Sequence, residues 1–556
     1  MKPSALAVTL ALLGINGLSY FIFPGHTYLT SDSQIYIPML EHLWDPSNLS
    51  RDLIATNPHL SFTIYDELAA AGRKLSGLGF DQVLPALHFT ARMAGVWGIW
   101  LIFRAWGFSA LLSILGTSCF CLGAFVHGPS VLTWELEPVP RTMALPLLWL
   151  AIGLIINDLP KWGAFTAALA FLIHPTTVWP VWIVLAALIV HPPHPIINRE
   201  RWKMAFILAC AVILLAVMSR FQAGEQEKQS FFATLNPALE NLQRMRASYN
   251  WAGTWADIYW GKYAFLLVIS LIAARSLHVL APKSLSWFHG GLTWIGAGSV
   301  LFSYLLLDTA KWALGPQVQF ARALLFVLAW ALLGAIACGM KAAIKGNYFS
   351  ALLWLYLAYG VPVQVQTWEL FLPWSKDVNR MNLLLAMALA TSAIFATVLS
   401  GRLNQWQRPI AITVLAAASF FAMRDVAKIY VYPKVHTPDL ANLARWARTA
   451  TPADCVFHFP DAKQELYPGL FRGDAVRAIY VDWKSGGQVN FHEKLANQWW
   501  QRWQSEMAEG YNTRPIESYA AIADFVVLKT KNRLTNARAI YENGTYLVYQ
   551  VPRKVE

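Results

Sequence analysis

Polar and apolar positions along the chain do not mix at the short periods of a soluble fold. Apolar residues gather into long blocks, and polar residues into the intervals between them. A bilayer core about 30 Å thick is crossed by a helix of about 20 apolar residues. The pattern therefore predicts membrane spans near 4–23, 83–104, 108–127, 142–157, 161–174, 176–191, 204–219, 259–275, 290–307, 320–338, 347–361, 381–400 and 409–424. Pro146, Pro175 and Pro180 interrupt three neighbouring blocks, which reads as broken or re-entrant helices.

Two polar stretches stand out. Residues 24–82 follow the first span and open with Thr30-Ser31-Asp32-Ser33-Gln34-Ile35-Tyr36-Ile37-Pro38. Residues 425–556 change pattern altogether. Short β-rich runs at Cys455–Pro460, Ala478–Trp483, Asp524–Leu528 and Thr545–Val551 alternate with helical patterns at Pro438–Thr449, Glu493–Glu509 and Ile516–Ala523. Such alternation predicts a small α/β domain. The chain thus divides into a transmembrane part, 1–424, and a soluble domain, 425–556.

Composition sharpens this. Of 556 residues, 56% are hydrophobic and only 14% charged, which excludes an ordinary soluble protein. The net charge of +12 does not point to nucleic acid, because the basic residues lie in short loops between apolar blocks. One alternate set of loops holds Lys2, Arg104, Lys161, Arg199, Arg201, Lys203, Arg275, Lys283, Lys341, Lys345, Arg402 and Arg408. The positive-inside rule places that set and the N-terminus in the cytoplasm. The intervals 24–82, 128–141, 220–258, 308–319 and 362–380 and the C-terminal domain then face outward, as in a multi-pass protein of a bacterial-type inner (plasma) membrane. The first block reads as a retained span, since no small-x-small cleavage pattern follows it. Five cysteines show neither metal-ligand spacing nor a disulfide framework.

Asp32 lies near the start of the first outer interval, where a carboxylate suits a general base or a ligand for a divalent metal such as Mg or Mn. Ser31-Asp32-Ser33 ahead of an apolar-periodic run also suits a helix N-cap. Asp52 offers a second acid in the same interval. Trp134-Glu135-Leu136-Glu137-Pro138-Val139-Pro140-Arg141 sets two carboxylates beside an arginine at a membrane boundary. Such charges are costly there unless paired or functional. Glu135 and Glu137 are candidate catalytic acids, and Arg141 a phosphate clamp or the partner of a self-neutralising cluster. Arg322 and Arg380, at outer span ends, suit a lipid-linked phosphate or simply anchor at the interface. His174, next to Pro175, marks a helix break. His88 and Arg92 lie one helical turn apart within a span. The Trp499-Trp500-Gln501-Arg502-Trp503 run reads as a packing face or a glycan surface. No Walker A loop, zinc-protease motif or Gly-x-Ser-x-Gly elbow is present.

The order of these features resembles the GT-C superfamily of polyprenyl-phosphate-sugar-dependent glycosyltransferases, in a little-characterised bacterial-type branch. The shared layout is one span, a long outer loop with an early acid (Asp32), many further spans and an outer C-terminal domain. The resemblance implies a polytopic α-helical fold of about 13 transmembrane helices with a small extracytoplasmic α/β domain. It also implies an inverting transfer of a sugar from a polyprenyl-phosphate carrier to a lipid, glycan or protein. Asp32 would be the base or metal ligand, Glu135 or Glu137 an assisting acid, and Arg322 or Arg380 a phosphate ligand. Two departures are visible. The first-loop motif has a single acid, and Trp499-Trp500 is followed by Gln501 rather than the aspartate of oligosaccharyltransferases. Two other classes fit the composition: a transporter or flippase of lipid-linked or polyanionic substrates that uses His88, Arg92 and His174, and a non-catalytic assembly subunit.

Overall fold

A computed structural model describes residues 4–222, 230–363, 378–399, 402–427, 436–491 and 493–552. Lys2 of the sequence reading, with most of the 362–380 interval, lies outside these residues. Each predicted span falls on a helix, from Ala5–Phe21 at the start to Gln407–Ala427 at the end. Among the described residues, six helices are long and apolar enough to cross a membrane: Phe80–Ala105, Pro195–Met218, Asp257–Leu277, Lys283–Thr309, Gly315–Ile344 and Val378–Val398.

The centre of the bundle is Leu324–Ile344, in which every residue from Leu324 to Met340 is buried. Around it the helices turn apolar side chains outward: Leu6 and Leu10, Phe206 and Ile213, Val268 and Ile272, Leu301. A water-facing surface of that kind would aggregate, whereas in a bilayer it is the expected lipid face. Small residues set the helix spacing inside. A Cβ on Gly98 would lie 2.3 Å from the backbone nitrogen of Leu150, so only glycine lets Phe80–Ala105 and Pro140–Ile156 approach this closely.

The prolines behave in two ways. Pro175 opens a new helix, Pro175–Val190, directly after Pro160–Ile173, with His174 at the junction. Pro146 and Pro180 instead lie inside the continuous helices Pro140–Ile156 and Pro175–Val190, contrary to the predicted breaks. Proline has no N–H to give the helical ladder, and inside a membrane helix that loss is tolerated where neighbouring helices cover the freed carbonyl. The predicted span 108–127 also ends early. Its helix stops at Phe120, and a two-stranded hairpin follows, β1 (Phe125–Val126) and β2 (Val131–Leu132).

The C-terminal region is α/β. Its strands are β3 (Val456–His458), β4 (Ala478–Ile479), β5 (Phe525–Lys529), β6 (Tyr541–Glu542) and β7 (Tyr546–Gln550), in the order β4-β3-β5-β7-β6. The β4-β3-β5 part is parallel and the β5-β7-β6 part antiparallel. Pro438–Ala450, Tyr467–Ala475 and Glu493–Trp503 are its main helices. Trp483, Trp499, Trp500 and Trp503 stack on one another and pack with Leu239 and Leu242 of Pro237–Arg246. The tryptophan run is therefore a packing face, as one of its two sequence readings held.

This region is keyed into the 24–82 interval by buried polar groups. Arg472 donates to Asp482 Oδ1 at 3.1 Å, to Ser485 Oγ at 3.0 Å and to the Gln34 carbonyl at 3.0 Å. Asp52 accepts from the amides of Ile54 and Ala55 and, across the junction, from the β4 amide of Ile479 at 3.0 Å. On the other side Gln243 donates to the Val489 carbonyl at 3.0 Å, and Arg246 donates to the Trp483 carbonyl at 2.9 Å. Buried groups satisfied in this way fix the register of two surfaces that apolar contact alone would let slide.

Candidate functional site

Six of the sequence-selected residues, Asp32, Glu135, Glu137, Arg141, His174 and Arg322, line one cavity of about 700 Å³. Asp52 and Arg380 are not among its lining residues. Asp52 is 1% exposed and committed to the junction with β4, within 3.8 Å of Arg472. Arg380 donates to the Val363 carbonyl at 3.5 Å. His88 and Arg92 also lie outside the lining. Arg92 is buried and donates to the carbonyls of Gly25 and Ser19, pinning the turn that leads from the first helix into the 24–82 interval.

Asp32 immediately precedes the helix Ser33–Trp44, but its side chain makes no cap hydrogen bond. Glu137 takes that place from another part of the chain. Its carboxylate accepts from the backbone amides of Thr30 (2.9 Å), Asp32 (2.7 Å) and Ser33 (3.3 Å), from that of Ser31, and from the Ser33 hydroxyl (3.1 Å). A helix N-terminus carries unpaired amides and a partial positive charge, so a carboxylate there is well placed. Because Glu137 caps the helix, the Asp32 carboxylate is free to turn into the cavity. The N-cap reading of Asp32 therefore holds for its position and not for its side chain.

The Asp32 carboxylate meets two cations. Lys484 Nζ donates to Oδ1 at 2.7 Å and to the Ser31 hydroxyl at 3.1 Å, and Arg141 Nη2 lies 3.5 Å from Oδ2. Burial on its own would raise this carboxyl. Lys484 and Arg141 outweigh burial and hold it well below the usual carboxylate range. Arg141 also donates from Nε to Glu135 at 2.6 Å, and Glu135 accepts from the Leu132 amide at 3.2 Å. Glu135 is thus the partner that lets Arg141 stay buried at the head of Pro140–Ile156. Burial and the Asp32 charge push the Glu137 carboxyl up, against the pull of Lys484 and the amides it caps.

Two more cations line the cavity without a carboxylate partner among the described residues. Arg322 lies over the Tyr249 ring, 5.0 Å from its centroid, and Arg246 over Trp483 at 4.8 Å. Arg322 follows a bend in the chain. The short helix Gly315–Val318 ends at Gln319, whose φ of 57° and ψ of 48° are left-handed, and a 3₁₀ turn Phe320–Ala323 leads into the central helix. At the cavity edge His174 pairs its Nδ1 with the Thr177 hydroxyl at 2.8 Å.

Sequence reasoning missed the wall of this cavity supplied by the C-terminal domain: Lys484, Gly487, Gln488 and Phe491. Phe491 stacks on His59 at 4.6 Å, and His59 in turn meets the Tyr36 hydroxyl at 3.3 Å. The available signal was Tyr480-Val481-Asp482-Trp483-Lys484, which places polar groups beside aromatics. Nothing in that string indicates that its lysine reaches an aspartate 452 positions away.

The donor set does not suit a divalent cation. Among the described residues no three His, Cys, Asp or Glu side chains are grouped to hold a metal. Both oxygens of Asp32 face cations, so an added metal ion would meet two like charges.

A family described as a domain of unknown function (DUF6798) matches residues 438–505, a stretch that contains the Lys484–Phe491 wall. No curated protein matches the chain. Among solved structures the chain is similar to ArnT from Cupriavidus metallidurans in the apo state, at 10% identity and a TM-score of 0.43 over 98% of this chain and 96% of that one. The same protein bound to undecaprenyl phosphate aligns at 13% identity and a TM-score of 0.38, over 98% and 96% of the two chains. Arabinofuranosyltransferase AftD from Mycobacteria aligns at 14% identity and a TM-score of 0.40, over 95% of this chain and 35% of that one.

Proposed function

We propose that this protein is a membrane glycosyltransferase that moves a sugar from a polyprenyl-phosphate carrier to an acceptor hydroxyl. The observation that carries the reading is one carboxylate, Asp32, set among four cations (Arg141, Arg246, Arg322 and Lys484) in a single cavity. Two of those cations have no carboxylate partner among the described residues, and a phosphate ester is the kind of anion that would satisfy them.

In this reading the carrier phosphate binds between Arg322, Arg246 and Arg141. The acceptor oxygen attacks the anomeric carbon from the face opposite the phosphate, giving inversion. The bond from that carbon to the phosphate oxygen breaks as the new carbon–oxygen bond forms, and Asp32 takes the acceptor proton. The leaving phosphate keeps its electron pair and is stabilised by the cations. A phosphate anion also competes for Lys484 and Arg141, so its arrival loosens their hold on Asp32 and makes that carboxylate a better base. No step requires a metal ion.

The same reading places the cavity, the 24–82 interval and the C-terminal domain outside the cytoplasm, with about thirteen spans and a cytoplasmic N-terminus. The acceptor is a lipid, a glycan or a protein. The test is transfer of radiolabelled sugar from polyprenyl-phosphate donors in purified membranes, with Asp32→Asn as control. Transfer by the native chain and none by the folded variant is expected. Equal transfer by both removes Asp32 from the mechanism, and transfer from no donor ends the reading.

A further inference from the structure

The cations and acids of the cavity leave its neutral polar groups without a task. Two carboxamides line it from distant parts of the chain, Gln319 at the bend before the central helix and Gln488 on the wall from the C-terminal domain. Gln488 is 1% exposed and Gln319 6%. The Oε1 of each has no hydrogen-bond partner among the described residues. Buried polar atoms are rarely left in this state, because desolvation costs them free energy that nothing returns. Gln319 is strained as well, since a left-handed backbone suits glycine or asparagine better than a longer side chain. Two separate costs on one cavity lining fit groups kept for something that enters it.

The chemistry of that visitor follows from what surrounds the amides. A carboxamide offers two donors and an acceptor, and exchanging its oxygen and nitrogen leaves that capacity in place. This matches hydroxyl groups, which also both donate and accept. A charged amine fits poorly, because every cavity carboxylate is already engaged. Asp32 is held by Lys484 and Arg141, Glu135 by Arg141 and the Leu132 amide, and Glu137 by the amides of residues 30–33. An ammonium group would instead meet Arg322 and Arg246. Phe491, stacked on His59, adds an apolar surface of the kind on which the C–H face of a sugar ring rests.

We propose that Gln319 and Gln488 form a subsite for the hydroxyls of a neutral sugar, one carrying no amino group, beside the cations that hold its phosphate. The subsite rests on the lipid-phosphate reading and gives it a substrate class. It also gives the C-terminal domain a part in choosing the sugar, through Gln488.

The test uses the full chain in lipid nanodiscs and three probes: undecaprenyl phosphate, undecaprenyl phosphate bearing a neutral hexose, and the amino-substituted counterpart of that hexose lipid. The neutral-sugar lipid should bind the native chain about tenfold more tightly than the bare lipid, and the amino-sugar lipid no more tightly than the bare one. Gln488→Leu and Gln319→Asn should each weaken the neutral-sugar lipid about five- to tenfold and leave the bare lipid unchanged. Gln488→Glu should turn the preference toward the amino sugar. Equal binding of neutral-sugar and bare lipids by the native chain overturns the subsite. So does an equal loss for both lipids in the variants, or a native preference for the amino sugar. Failure of the bare lipid to bind, or binding that Arg322→Ala leaves unchanged, overturns the lipid-phosphate reading itself, and the subsite falls with it.

Discussion

Lys484 Nζ lies 2.7 Å from Asp32 Oδ1, joining residues 452 positions apart. The carboxylate that sequence singles out first is therefore held by a cation from the last part of the chain. Removing that cation should be visible in the pH dependence of transfer. A depressed carboxyl stays ionised until the pH falls through its lowered value, so the native enzyme should keep its base at any pH above ~5. Lys484→Met should let the carboxyl rise toward the ordinary carboxylate range, bringing an acid limb into the measurable range of a kcat/KM profile. Lys484→Arg should restore most of the native profile. An unchanged acid limb in Lys484→Met would assign the lysine to packing.

Asp32→Asn keeps the size of the side chain and removes the base. Transfer should fall about 10²- to 10⁴-fold, the usual contribution of general base catalysis. Binding of the lipid phosphate should hold or tighten, because a negative charge leaves a cationic cavity. Parallel measurement of transfer and of lipid affinity separates loss of chemistry from loss of fold.

Arg322→Ala and Arg246→Ala should each weaken binding of undecaprenyl phosphate by about tenfold or more, the scale of a charge-assisted hydrogen bond. Arg380→Ala should leave affinity unchanged, since Arg380 does not line the cavity. Titrations at two salt concentrations check that the lost term is electrostatic.

Glu137→Gln should act on stability before chemistry. The carboxylate caps amides from Thr30 to Ser33, and the variant exchanges a charged acceptor for a neutral one at a helix N-terminus. A loss of about 1–2 kcal/mol is expected, read as a lower midpoint of thermal unfolding in detergent. The acid was selected from sequence as a candidate catalyst; a variant that keeps both stability and turnover would deny it either role.

Much of this architecture was written in the periodicity. The predicted spans coincide with helices, and the four predicted strands of the C-terminal domain coincide with β3, β4, β5 and β7. Local chemistry decides such features, through runs of apolar residues and alternation. The misses have equally local causes. The 108–127 block reads as continuous because Leu122, Ala124, Phe125 and Val126 are as apolar as the helix before them, yet Phe125 and Val126 form the first strand of a hairpin. Pro146 and Pro180 look like breaks, but each lies inside a helix that continues through it, as packed membrane helices tolerate.

The site was legible only in part. Asp32, Glu135, Glu137, Arg141, His174 and Arg322 were selected because charge beside a membrane is conspicuous, and they line one cavity. Asp52 was equally conspicuous, but its task is to accept an amide of β4. Lys484 and Gln488 were invisible because their roles come from a docking of domains that no spacing along the chain records. The cap that Glu137 supplies belongs to the same class, a local need met from 104 residues away.

The length of chain between Asp32 and Lys484 also has a consequence for biosynthesis. Asp32 leaves the ribosome 452 residues before Lys484, and the long-range contacts that bring them together form late. A nascent or truncated polypeptide would thus carry its acid and most of its arginines but neither the lysine nor the glutamine wall. On the glycosyltransferase reading, sugar selection through Gln488 can begin only once that wall is in place.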